Sequence, residues 1–203
     1  MIRTDQERNP NRLYFNLDYH AALTTAACPD DPKIKDELDV IVAANLATDA
    51  NQFNSAWHFD NCAFGPGTER IEDLWGLIRS TTVETNTFVD FGTMIHTVED
   101  FYAHSNWIEL HTDVDPIPTW DLQVGSLPAD IVSGTFLLDW PKLCGPNAPT
   151  HAELNKDSPT STEGAKIVQS GPNAGKSLFD LAYATALQAT RDQFAELSKV
   201  VNG

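Results

Sequence analysis

The stretch FGTMIHTVEDFYAHSNWIEL, residues 91–110, carries His96, Asp100 and His104 at four-residue steps. An α-helix advances about 100° per residue, so side chains four apart stand one turn above each other. The three residues therefore form a polar stripe along one face. Phe91, Ile95, Val98, Phe101, Tyr102 and Trp107 surround that stripe and describe a helix buried in a core. Imidazoles and carboxylates are costly to bury unless satisfied. Either the rest of the chain supplies hydrogen bonds to the stripe, or a metal binds there.

The remaining helical signals point to an all-α fold. Leu17 to Ala27 reads as a helix containing His20, ended by CPDDP. PKIKDELDVIVAANLATD predicts a second helix that delivers Asp49 at its C-terminal end. ANQFNSAWHFDNCAFGPGT reads as a loop holding His58 and Asp60, and ERIEDLWGLIRSTT as a third helix. The stripe belongs to a fourth helix, from roughly Glu84 to His111. From 114 to 175 the chain is rich in Pro, Gly, Ser and Asn and has no sustained period. A stretch of that length is expected to be an irregular insert, serving as a lid or a structural wrap. GKSLFDLAYATALQATRDQFAELSKVV is a closing amphipathic helix.

With 203 residues, one domain over 1–203 is the expectation, its first 12 residues loose. The net charge of −16 argues against nucleic acid or an anionic membrane as the main partner. No apolar run crosses a bilayer, and MIRTDQERNPNR lacks the apolar region of a signal peptide. The chain is thus cytosolic, or secreted after loss of a leader or by another route. Three cysteines, Cys28, Cys62 and Cys144, form no CxxC pair and read as thiols, with one bridge at most.

Five of the six histidines, His20, His58, His96, His104 and His151, fall on segments that can face one core. Asp49, Asp60, Asp100, Glu153 and Asp157 accompany them. Zinc takes imidazole nitrogen and carboxylate oxygen in tetrahedral sets, and this supply suffices for two or three ions. Asp100, between two histidines, is placed to bridge ions ~3.5–4 Å apart. Read instead as structure, single histidines are satisfied core residues and WHFDN is a self-capped loop. Glu99 points off the stripe and reads as part of a solvated face. His111 reads as a residue complementing a helix C-terminus.

DYHAALTTAA, ANLATD, WHFD, the 91–110 segment and THAELNKDSP occur in an order that resembles HET-C-like proteins. These look like relatives of the zinc-dependent phospholipase C family, all-α enzymes with a trinuclear zinc site. The resemblance spans His20 to Asp157. It implies a single helical bundle around a multinuclear zinc site, in which Asp49, His58 and His96 hold one zinc. His20 and Asp100 would hold a second. His104 and His151 would hold a third, completed by Asp157 with Glu153 as competitor. The family's N-terminal tryptophan ligand has no counterpart here, and its aromatic choline contacts fall on Ala50 and Ser55.

The activity so implied is phospholipase C: water activated by zinc, with Asp49 as base, splits phosphatidylcholine-type lipids into diacylglycerol and phosphocholine. Its partner would be a zwitterionic phospholipid in a membrane or micelle. Two alternatives share the ligands. One is a zinc phosphodiesterase or nuclease; the other is a non-enzymatic HET-C-like module with structural zinc.

Overall fold

The computed structural model describes residues 17–136 and 144–203. The expectation of a loose 1–12 segment lies outside them. The protein is all-α: nine helices, two 3-10 turns and three isolated β-bridges account for its regular structure among the described residues.

Local chemistry sets the helix ends. Helix α1 (Leu17–Ala27) stops just before Cys28 and Pro29, since a residue preceding proline is pushed out of the helical region. Helix α2 (Pro32–Asp36) begins where Asp31 caps the Lys33 N–H and Pro32 opens the first turn. The single helix expected from Pro32 onward is in fact two. At Glu37 the backbone leaves helical geometry (φ −106°, ψ 7°), and α3 (Leu38–Thr48) starts afresh. Asp49 follows at its C-terminus, as its sequence position predicts.

The loop expected at 50–68 is more ordered than its composition suggests. It contains α4 (Ser55–His58), a 3-10 turn at Asp60–Cys62 and the start of α5 (Phe64–Ser80). Pro66 fits inside the first turn of α5 because first-turn N–H groups need no intrahelical acceptor. Phe59, Asn61 and Cys62 all adopt left-handed backbone angles, at φ 52°, 56° and 54°.

Helix α6 (Glu84–His104) ends seven residues before the expected His111. Ser105 turns extended, and its hydroxyl bonds the Phe101 carbonyl at 2.5 Å and accepts from the Trp107 N–H at 3.3 Å. A short α7 (Trp107–Leu110) follows. The predicted loop HAELNKD opens with a helical turn, α8 (His151–Leu154), whose Thr150 and Glu153 form a capping box. The closing helix α9 (Leu178–Asn202) is capped in the same way by Ser177 and Asp180.

Helix α6 is the axis of the bundle, enclosed by α3, α5 and α9. Phe88, Phe91, Ile95, Val98 and Phe101 are buried along it, and Trp120 stacks on Phe101 at 4.5 Å between ring centres. The irregular segment wraps the C-terminal end of α6. Gly134 N–H bonds the His104 carbonyl, Asn106 N–H bonds the Val132 carbonyl, and Lys156 N–H bonds the Ala103 carbonyl. Val132, Gly134 and Lys156 are thereby tied to the end of α6, beside the buried Ser133, His151 and Asp157.

The cysteines also depart from expectation. Cys62 and Cys144 form a disulfide, while Cys28 is a half-buried thiol. The bridge joins the left-handed tract to the wrapping segment. Among the described residues no helix is long and apolar enough to cross a membrane.

Candidate metal centre

The stripe on α6 is where the other helices deliver their polar residues. His20 from α1, His58 from α4, and His96 and Asp100 from α6 are each no more than 1% exposed. Asp100 lies at their centre. Its Oδ1 is 3.2 Å from His20 Nε2, and its Oδ2 is 2.8 Å from His58 Nδ1 and 3.1 Å from His96 Nε2. His96 Nε2 and His58 Nδ1 are themselves 3.2 Å apart. Asp49 closes the open side, 3.8 Å from His96 Nε2.

These spacings lie in the hydrogen-bond range and also approach what a shared cation requires. A tetrahedral zinc with bonds of ~2.0–2.1 Å holds its donors ~3.3–3.4 Å apart. The separations of 3.1–3.2 Å approach that value, while the 2.8 Å between Asp100 and His58 is an ordinary hydrogen bond. Two potential ligand groups emerge, His20 with His96 and Asp100, and Asp49 with His58 and His96. The second is the set predicted for the first zinc. In the other set the prediction lacked His96, which stands within reach of both.

A second cluster lies one turn further along α6. Ligand atoms of Asp60, His104 and His151 come within 4.8 Å of one another. Asp60 Oδ1 is 2.9 Å from His151 Nδ1 and 3.8 Å from His104 Nδ1. Asp157 faces the opposite edges of both rings, with Oδ1 3.0 Å from His104 Nε2 and Oδ2 3.7 Å from His151 Nε2. Glu153, the competitor for this position, is spent on capping Thr150, accepting from its N–H at 2.7 Å. Asp60 is the residue whose part the ligand assignment missed. Its two-residue spacing from His58 fits no helical stripe.

Four of the five clustered histidines have one ring nitrogen on an oxygen outside the ligand groups, while His151 Nδ1 lies on Asp60 within its own group. His20 Nδ1 meets Glu99 at 2.6 Å, His96 Nδ1 meets Asn45 Oδ1 at 3.0 Å, and His58 Nε2 meets the Asn51 carbonyl at 3.2 Å. His104 Nδ1 meets the His58 carbonyl at 2.9 Å, and His151 Nδ1 meets Asp60. Metal-binding histidines are oriented in this way, one nitrogen donating outward while the other carries the lone pair. His104 so held presents Nε2 to Asp157. Asp100 Oδ1 and Asp157 Oδ2 are buried without a well-aligned hydrogen bond, their nearest imidazole nitrogens standing 3.2 and 3.7 Å away. One lies in each cluster, and a bound cation would satisfy both.

The electrostatics follow from the crowding. Burial pulls His96 down to about 3, ahead of the opposing charge of Asp100. Burial also works against charging His20, but its hydrogen bonds to Asp100 and Glu99 prevail and raise it to about 10. His104 is likewise raised to about 9, burial being outweighed by Asp100 and Asp157. Asp100 is held well below the usual carboxylate range, its surrounding histidines overcoming burial. Asp49 is pushed the other way, by burial and then by the charge of Asp100.

Glu99 corrects the sequence reading most sharply. It is fully buried, and it accepts from Asn45 Nδ2 and Thr190 Oγ1, each at 3.0 Å, as well as contacting His20. His111 sits at the end of α7 with its Nδ1 2.7 Å from the Trp107 carbonyl, away from both clusters, as expected.

No curated protein and no solved structure is significantly similar to the chain. A family model does match, over residues 19–121, which is half of the chain. It is the VWA7 N-terminal domain, and it overturns the resemblance to HET-C-like proteins and the zinc-dependent phospholipase C family. The match covers His20, Asp49, His58, Asp60, His96, Asp100 and His104, seven of the clustered side chains. This chain belongs to the VWA7 N-terminal domain family.

Proposed function

We propose that this domain is a zinc-dependent phosphoric-diester hydrolase. The observation that carries the reading is Asp100, a buried carboxylate on which three imidazole nitrogens from three helices converge within 3.2 Å. Such a donor set fits divalent ions of the zinc type. Bound there, the ions would act as Lewis acids on a phosphate oxygen and lower the pKa of a water toward ~7.

The chain's own part is binding, orientation and proton transfer. His20, His58, His96 and Asp100 fix the ions, and Asn51 and Asn45 fix two of the rings. Asp49, on the more open side and 3.8 Å from His96 Nε2, is placed to serve as the base. The attacking water forms a bond to phosphorus and gives its proton to Asp49. The ester P–O bond breaks, and the leaving oxygen takes up a proton.

The charge of −16 disfavours polyanions and supports a substrate whose head group is neutral overall, of which zwitterionic phospholipids are the leading class. Phe53, 70% exposed just beyond Asp49, is an apolar contact at that end of the cluster. A phospholipase C cleavage is therefore the first activity to test, in membranes or micelles. No choline pocket is proposed, since the aromatic choline contacts of the overturned resemblance fall on Ala50 and Ser55. A second reading, a purely structural centre, is favoured by the way the clusters pin α1, α4, α6 and the wrapping segment together.

Metal analysis of the purified protein is expected to give two or three zincs per chain. Phosphatidylcholine micelles, a soluble phosphorylcholine ester and single-stranded DNA assayed in parallel separate the substrate classes. Asp100→Asn is expected to cut turnover by orders of magnitude. If it lowers melting but no substrate is turned over by the wild type, the centre is structural.

A further inference from the structure

Glu99 has a place that packing alone does not explain. A carboxylate in a core costs several kcal/mol unless fully hydrogen-bonded, and an aliphatic side chain would fill the same space between α1, α3 and α9. Instead three donors converge on it. Oε2 takes His20 Nδ1 at 2.6 Å and Asn45 Nδ2 at 3.0 Å, and Oε1 takes Thr190 Oγ1 at 3.0 Å.

Asn45 extends the arrangement. Its amide nitrogen donates to Glu99 and to Thr24 Oγ1, which leaves its carbonyl oxygen to accept from His96 Nδ1 at 3.0 Å. Glu99 therefore fixes the rotamer of Asn45 as well as the ring of His20. Both histidines then carry hydrogen on Nδ1, and with a cation bound the lone pair of Nε2 would be the one on the Asp100 side, 3.2 and 3.1 Å from that carboxylate. One carboxylate sets the tautomer and direction of two rings that come from different helices.

We propose that Glu99 is a positioning residue for the metal centre, acting directly through His20 and through Asn45 on His96. The proposal rests on the metal-centre reading above. An anionic partner on the distal nitrogen also makes the coordinating nitrogen more basic, and loss of such a partner typically weakens binding about 10–100-fold.

The test measures zinc affinity of the wild type and Glu99→Gln by competition with a chromophoric chelator, beside melting of both metal-free proteins. Glutamine keeps the shape but turns an amide nitrogen toward donors. Zinc binding is expected to weaken about 10–100-fold, and the cobalt-substituted variant to lose tetrahedral visible absorption. Unchanged affinity and cobalt spectrum overturn the proposal, including where melting alone is lowered. If the wild type itself binds no zinc, the metal-centre reading fails, and the proposal with it. Should the variant not fold, 15N NMR of the zinc-loaded wild type decides. Coordination of His20 through Nε2, with hydrogen on Nδ1, supports the proposal; coordination through Nδ1 overturns it.

Discussion

Gly92 lies against the backbone of Ile41: a Cβ on Gly92 would stand 2.3 Å from the Ile41 carbonyl oxygen and 2.8 Å from the Ala44 Cβ. This contact lets α3 approach α6 closely enough for Asn45 and Asp49 to reach His96. Gly92→Ala must push the helices apart. Overpacking of this kind costs about 1–3 kcal/mol, so thermal unfolding should occur at a lower temperature. Because Asp49 moves with α3, zinc binding should weaken as well. A variant that melts and binds like the wild type would show that the two helices can part without disturbing the centre.

Lys156 is fully buried beside Asp157, donating to the Ser105 and Leu154 carbonyls at 2.8 Å each and to Glu109 Oε1 at 2.9 Å. Lys156→Met removes all three bonds and strands a carboxylate that is 23% exposed. The expected loss is roughly 3 kcal/mol, the low end for a broken buried pair because Glu109 keeps some water. Chemical denaturation measures it.

The pH dependence of the metal-free protein should have two limbs. His20 and His104 are raised from 6.5 to about 10 and about 9, so their contribution is full below pH 6.5 and is lost as pH rises through those values. His96 is lowered from 6.5 to about 3, so its contribution is present above pH 6.5 and fades as pH falls toward 3. Melting in chelator should therefore peak near neutrality. With zinc the alkaline limb should reverse, because coordination requires unprotonated imidazoles and the gain on adding metal grows with pH. Melting scans with and without zinc across that range check both statements.

The Cys62–Cys144 disulfide closes a loop 82 residues long in sequence separation. Cys144→Ser is expected to cost about 2–4 kcal/mol. The effect on metal should be selective. Cys62 lies two residues from Asp60, so the cluster of Asp60, His104 and His151 should loosen more than the one around Asp100. Metal content per chain, compared between the variant and the wild type, reports it.

The positions of His96, Asp100 and His104 were legible because helical periodicity is a local property and α6 obeys it. His20 and Asp49 were legible for the same reason, each lying on or at the end of an amphipathic segment. Glu99 was not. One residue from Asp100 it points about 100° away, and only tertiary packing shows that α1, α3 and α9 cover that direction too. The end of α6 at Ser105 depends on a serine hydroxyl turned back onto Phe101, a choice the composition of SNWIEL does not reveal. Asp60 and the disulfide were hidden because both depend on the wrapping segment, which has no period to read. The family assignment, made on motif strings and their order, gave way to the match with the VWA7 N-terminal domain over residues 19–121.

Phe59, Asn61 and Cys62 hold left-handed angles between His58 and the start of α5. Asn tolerates such angles, but Phe59 and Cys62 are each disfavoured there by about 1–2 kcal/mol, so this tract is a wound spring, latched by the disulfide and by the side chains on either side of it. Amide hydrogen exchange should find it the first part of the bundle to breathe when the latch is released. Its loosening would give the surroundings of His58 and Asp60 a fast route for exchange with solvent, while the long helix beneath stays shut.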